Sequence, residues 1–263
     1  MFELTDRTAL ITGAGAGLGR SFARALAGQG ATVICADIDG PAAQQIAAEI
    51  QRNGGKASAI EVDIADEQSV AVMARSTGER TGRLDILINN AGVASIPHRV
   101  LDVPVAEWDR VNAINLRGLF LCTKALLPLL LTSKAASVIN LSSYLGMVGA
   151  YPGFPVTAIQ YGTTKAGVIG FTRQLALEYA ADGIRANAIA PGWHFGTDLG
   201  KARRAVATPE EIASFQAFAK STIPMGHVGK PEDLSGLVIY LASDASRYVT
   251  GQVFAHDGGI TAG

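Results

Sequence analysis

Basic excess, cysteine and metal-ligand spacing are all scarce in this chain, and each shortage removes a class of function. Its 263 residues carry 22 Lys and Arg against 23 Asp and Glu, for a formal net charge of -1. That leaves no basic footprint of the kind nucleic-acid binding requires. The two cysteines, Cys35 and Cys122, lie far apart in apolar surroundings. They read as buried thiols of a reducing compartment, not as a disulfide. The four histidines (His98, His194, His227 and His256) show no metal-ligand spacing with Cys or Glu, so no metal is expected. The first residues, MFELTDRTALIT, are acidic where a signal peptide would be basic, and no targeting segment is expected. The longest apolar run, LFLCTKALLPLLL, is interrupted by Lys124 and Pro128 and reads as a buried helix, not a membrane span. The expected location is the cytoplasm.

What is present is an alternation of short apolar runs with helical patterns. Strands are expected at 8–12, 31–37, 57–63, 84–90, 136–142, 184–191 and 251–257. Helices are expected over 18–29, from Pro41 onward, over 66–80 from Asp66, over 105–131, through Tyr161, and over 231–242. Nearly continuous apolar strands suit a parallel sheet covered on both faces. With no linker or repeat in view, residues 1–263 read as a single Rossmann-type, doubly wound α/β domain of about seven strands. The looser stretch 192–225 reads as a substrate-covering loop and helix region.

Two local patterns carry chemistry. The first is Tyr161 and Lys165 in Y-G-T-T-K, four residues apart on an expected helix and therefore on one face. An ammonium beside a phenol favours the phenolate. Lowering its pKa from near 10 by about three units takes roughly 4 kcal/mol of differential stabilisation. Such a tyrosine could trade protons near neutral pH, although the same spacing is common on solvated helix faces. The second pattern is T-G-A-G-A-G-L-G at 12–19, which sets Gly13, Gly17 and Gly19 at the first strand-to-helix turn, with Leu18 between the last two. This is neither G-x-G-x-x-G nor a P-loop, yet it has the makings of a phosphate cradle facing a helix N-terminus. Strand two ends at Asp37, which can accept from an adenosine ribose and would repel a 2′-phosphate. No Arg or Lys lies within 13–19 or directly after Asp37, so NAD is expected over NADP. Asp39 is the rival acid, and Asp63 with Ile64 is placed at the adenine edge.

Taken in order, T-G-x-x-x-G-x-G, N-N-A-G at 89–92, a serine ending strand five, and Y-x-x-x-K resemble the short-chain dehydrogenase/reductase family from about residue 5 to the C-terminus. V-N-A-I-N-L-R-G at 111–118, Pro191-Gly192 and the Y-V-T-G-Q-V…D-G-G ending also match. The resemblance implies Tyr161 as acid/base and Lys165 as its partner, also holding the nicotinamide ribose. It implies Ser143 as the catalytic serine, with Ser142 as the alternative, and Asn115 as holder of a relay water. Asn90, Ala91 and Gly92 would line the cofactor, and Thr197 would help at the nicotinamide amide. There W-H-F-G is about one residue longer than the family pattern, so either His194 or Phe195 takes the backbone position facing the nicotinamide. The stretch from Ser143 to Tyr161 is also longer than the pattern.

The resulting expectation is an NAD-dependent dehydrogenase that interconverts a secondary alcohol and a ketone, acts on a small molecule, and assembles as a homotetramer, with neither nucleic acid nor membrane as partner. A dinucleotide-sensing protein without turnover is the alternative, and would be expected to lose the tyrosine, lysine or serine. A sugar-nucleotide epimerase would need a further substrate domain. Leu145, Met147, Val148, Tyr151, Phe154, Trp193 and Phe195 suggest an apolar pocket, while Lys201, Arg203 and Arg204 could meet a carboxylate or phosphate.

Overall fold

The computed structural model describes residues 1–149, 158–197 and 208–262. Tyr151, Phe154, Lys201, Arg203 and Arg204 lie outside them. Seven strands form one sheet: β1 (Thr8–Thr12), β2 (Thr32–Asp37), β3 (Lys56–Glu61), β4 (Ile86–Asn89), β5 (Ser137–Leu141), β6 (Arg185–Pro191) and β7 (Val253–His256). Their order is β3-β2-β1-β4-β5-β6-β7, with every neighbouring pair parallel. The strand order therefore reverses beside β1, the place where α/β sheets open a crevice at their C-terminal ends.

Side chains alternate across the sheet, so each strand feeds two cores. Ala9 and Ile11 of β1 and Val33 and Cys35 of β2 face α1 (Gly17–Gly28), α2 (Gly40–Arg52) and α8 (Ser235–Ala242). Leu10, Ile34, Leu87 and Val138 face the other way. They meet α3 (Glu67–Thr81), α5 (Leu119–Leu130) and α6 (Ile159–Tyr179). Both cysteine thiols are buried, which pushes each up to about 12.

Local chemistry fixes the helix starts. The Asp39 carboxylate accepts from Ala42 N at 2.9 Å, and the Asp66 carboxylate accepts from Gln68 N at 3.0 Å. One element differs from the sequence expectation. The helix expected over 105–131 is α4 (Val105–Asn112) and α5, joined by a π-helical turn, Ala113–Gly118. Within 192–225 lies a helix, α7 (Pro209–Thr222).

Candidate active site

A cleft of about 760 Å³ runs along the C-terminal ends of the strands. It brings together Gly13, Gly17, Leu18, Asp37, Asp63, Ile64, Asn90, Ala91, Gly92, Ser143, Tyr161, Lys165, Pro191, Gly192, His194 and Thr197. Gly19 and Asn115, grouped with them on sequence, stand behind the wall and do not line it.

At the glycine turn, Gly13 adopts a φ of +65°, and a Cβ on Gly19 would strike the Gly13 carbonyl. The turn and the first residues of α1 are thus in backbone contact. Asn90 locks the arrangement from below, its Nδ2 donating to Thr12 O at 2.9 Å and to Gly13 O at 3.0 Å. Thr12 Oγ1 accepts from the backbone N–H groups of Asn90 and Ala91, each at 3.1 Å. No side chain caps α1, so its N-terminal N–H groups face the cleft beside Gly17 and Leu18. This is an anion-binding geometry, and it fits a dinucleotide pyrophosphate.

The acid at the tip of β2 is held in place. Asp37 accepts from Gly15 N at 2.8 Å and from Asp39 N at 3.0 Å, whereas Asp39 is occupied as the α2 cap. Asp63 turns back on its own loop, accepting from Ala65 N at 2.9 Å. Sequence reasoning missed Arg20, which lines the same cleft from the first turn of α1. It directly follows Gly19, the last glycine of the turn.

The two serines after β5 have separate partners. Ser142 Oγ donates to Lys165 O at 2.7 Å, while the Ser143 hydroxyl is hydrogen-bonded to the Tyr161 phenol. The Lys165 ammonium lies 5.6 Å from the Tyr161 ring centroid and donates to Leu141 O at 2.7 Å. Both residues are buried. Burial pushes the Tyr161 phenol up to about 12, opposed by the Ser143 hydrogen bond, and pulls Lys165 down to about 8. The expectation of a lysine-lowered phenolate is therefore corrected: burial raises the phenol instead. Desolvation disfavours both charged forms, and the ammonium is directed at a backbone carbonyl.

Asn115 occupies the π-helical turn. Its side chain bonds both polar backbone groups of Val93, accepting from N at 2.8 Å and donating to O at 2.9 Å. That clamps the loop after β4. The second Nδ2 hydrogen donates to Thr164 Oγ1 at 3.3 Å, which ties the same turn to the helix that carries Tyr161.

At the far end, His194 Nδ1 bonds Gly192 O at 3.1 Å and Nε2 meets His256 Nδ1 at 3.2 Å. Because a carbonyl only accepts, His194 carries its proton on Nδ1, and His256 must donate to Nε2. Burial lowers the His194 pKa, which favours this neutral form. Gly229 leaves room for the ring, since a Cβ there would lie 2.6 Å from it. Phe195 N donates to Gly229 O at 3.0 Å, whereas His194 N has no hydrogen-bond partner among the described residues. The histidine pair was not legible in sequence because its members are 62 residues apart. Trp193 packs edge-on to Tyr144 at 6.0 Å and against Phe218 of α7 at 6.2 Å, which places α7 over this end.

A parallel sheet that reverses beside a glycine turn and an uncapped helix, with a buried Tyr-Lys-Ser group in the same cleft, defines a dinucleotide-binding α/β protein. Comparison with known proteins makes this specific. The family model described as Enoyl-(Acyl carrier protein) reductase matches residues 13–261. A 3-oxoacyl-(acyl-carrier-protein) reductase from Synechocystis sp. is 38% identical over 262 residues, covering 99% of each chain. The crystal structure of a short-chain type dehydrogenase/reductase from Mycobacterium marinum superposes with a TM-score of 0.90 at 35% identity, covering 100% of this chain and 98% of that one. A gluconate 5-dehydrogenase from Burkholderia cenocepacia, in complex with NADP and tartrate, gives a TM-score of 0.90 at 30% identity over 100% and 98% of the two chains. The chain belongs to the short-chain dehydrogenase/reductase family, whose members are oxidoreductases that bind a nicotinamide dinucleotide.

Proposed function

We propose that this chain is a single-domain, NAD-dependent dehydrogenase that interconverts a secondary alcohol and a ketone, with Tyr161 as acid/base. The observation that carries this reading is the convergence of the Ser143 hydroxyl and the Lys165 side chain on a buried Tyr161 in the cleft that also holds Asp37 and the glycine turn. Bound NAD would lie along Gly13, Gly17 and Leu18, with its adenosine ribose at Asp37, and would supply the site that accepts or gives the hydride. Lys165 would orient the nicotinamide ribose, and the free His194 N–H is the donor suited to the nicotinamide amide, since Phe195 N is engaged by Gly229.

The residues then divide the proton chemistry. The Ser143 hydroxyl fixes the substrate oxygen beside the phenol, and the phenol gives or takes the hydroxyl proton. A phenol near 12 is protonated at neutral pH, so the site as it stands is ready to donate. Ketone reduction therefore runs at neutral pH, and alcohol oxidation gains as pH rises toward the phenol pKa.

Asp37 supports NAD because its fixed carboxylate repels a 2′-phosphate. Arg20 and the NADP found in the Burkholderia structure pull the other way, which makes cofactor choice a sharp test. Catalytic efficiency with NAD should exceed that with NADP at least tenfold, and Asp37→Ala should narrow the ratio. Equal use of both cofactors by the wild type would refute the preference. Tyr161→Phe should lose about 10²–10⁴ in turnover while still binding NADH by fluorescence titration. Retained turnover in a broad alcohol and ketone screen would overturn the acid/base role.

A further inference from the structure

Among the described residues, three buried side-chain polar atoms have no hydrogen-bond partner: Asn89 Oδ1, Ser95 Oγ and Gln160 Oε1. Asn89 belongs to a network beneath the sheet, with its Nδ2 on Thr123 and Asn140. Of the other two, Ser95 lines the cleft from the loop after β4, and Gln160 stands behind its wall. Gln160 is fully buried in the first turn of α6, immediately before Tyr161. Its Nε2 donates to the carbonyl of Ile96, the residue after Ser95, at 3.3 Å. A backbone bridge between His98 and Ala158 joins the same two segments. Ser95 is therefore held on a braced wall, on the segment tied to the start of the helix that carries Tyr161.

A buried hydroxyl without a partner on the wall of a cleft is costly unless a ligand group answers it. Leu145 and Trp193 add apolar surface to the same cleft. Among the described lining residues the cations are Arg20, beside the glycine turn, and Lys165, whose ammonium is on Leu141 O. Among the described lining residues none on the Ser95 side is cationic, and the nearby Arg110, which reaches Ala94 O at 3.4 Å, is paired with Glu107. A neutral hydroxyl can both accept from Ser95 and donate, which a ketone oxygen cannot.

We propose that Ser95 is a specificity-determining residue, and that the substrate is a compact alcohol bearing a second, uncharged hydroxyl close to the reacting carbon. This rests on the oxidoreductase reading above and adds the substrate class. The test uses the full-length protein with NAD and three alcohols of one skeleton: cyclohexanol, 1,2-cyclohexanediol and 2-hydroxycyclohexanecarboxylate. Wild type should oxidise the diol with kcat/KM at least tenfold above both others, and Ser95→Ala should bring the diol-to-cyclohexanol ratio near one. Binding of NADH by Ser95→Ala verifies that the variant is folded, and Ser95→Thr, which keeps the hydroxyl, should retain most of the ratio. A ratio unmoved by Ser95→Ala overturns the inference, as does preference for the carboxylate or for cyclohexanol. No oxidation of any of the three also overturns it, while the broader screen decides separately whether the oxidoreductase reading stands.

Discussion

An ammonium buried without a carboxylate beside it weakens a fold, and Lys165 is in that position among the described residues. Its pKa is pulled from 10.5 to about 8 by burial, a penalty of about 3 kcal/mol at neutral pH. The hydrogen bond to Leu141 O returns about 1 kcal/mol of this. The sign follows from linkage. Below pH 8 the lysine is charged whether folded or unfolded, and the penalty is fully present. Between 8 and 10.5 the folded protein sheds the proton first, and the penalty fades. Lys165→Met should therefore melt several degrees above wild type at pH 7, with the difference shrinking toward pH 10, while turnover collapses. Calorimetry across that range would detect it, and a variant less stable at every pH would refute the account. Tyr161 and Lys165 were legible as a pair because helical spacing is local. Their shifted pKa values were not, because these come from walls contributed by distant segments. Ser95 and His256 were missed for the same reason: nothing nearby in sequence marks a serine without a partner or two histidines that meet from separate segments.

The glycine turn is the element most nearly written in sequence, since spacing and position in the chain pointed to it together. The structure assigns its glycines different duties. Gly13 supplies a left-handed φ, whereas Gly19 supplies absence, having no room for a Cβ against the Gly13 carbonyl. Gly19→Ala should therefore displace the turn, weaken NADH binding at least tenfold in a fluorescence titration, and lower the melting temperature. Wild-type affinity would refute the close-packing role. The π-helical turn at Ala113–Gly118 was illegible, because no proline interrupts it and its one glycine, Gly118, stands only at its end. Its effect is visible in Asn115, whose amide points at Val93 instead of along the helix surface.

At the scale of the molecule, the parallel seven-stranded architecture was legible because apolar runs and helical patterns alternate so regularly. The outer faces were less so. Phe120, Leu131 and Leu177 are large apolar side chains exposed on α5, at its C-terminal end and on α6. A groove lined by Leu116, Phe120 and Phe171 lies beside them. These surfaces suit helix pairing between copies, and we expect a homotetramer. Light scattering at micromolar concentration should give about four times 27.3 kDa, Phe120→Glu should reduce it, and a wild-type mass of 27.3 kDa would refute the assembly. The reversal of strand order beside β1 also sets a timetable for synthesis. β2 and β3 can add to one side of β1 from residues made soon after it, but its other side waits for Ile86–Asn89. Throughout that interval the nascent half-sheet carries an open backbone edge beside β1's apolar side chains. The growing chain is then at its most vulnerable to pairing with a neighbour, and the arrival of β4 closes that window.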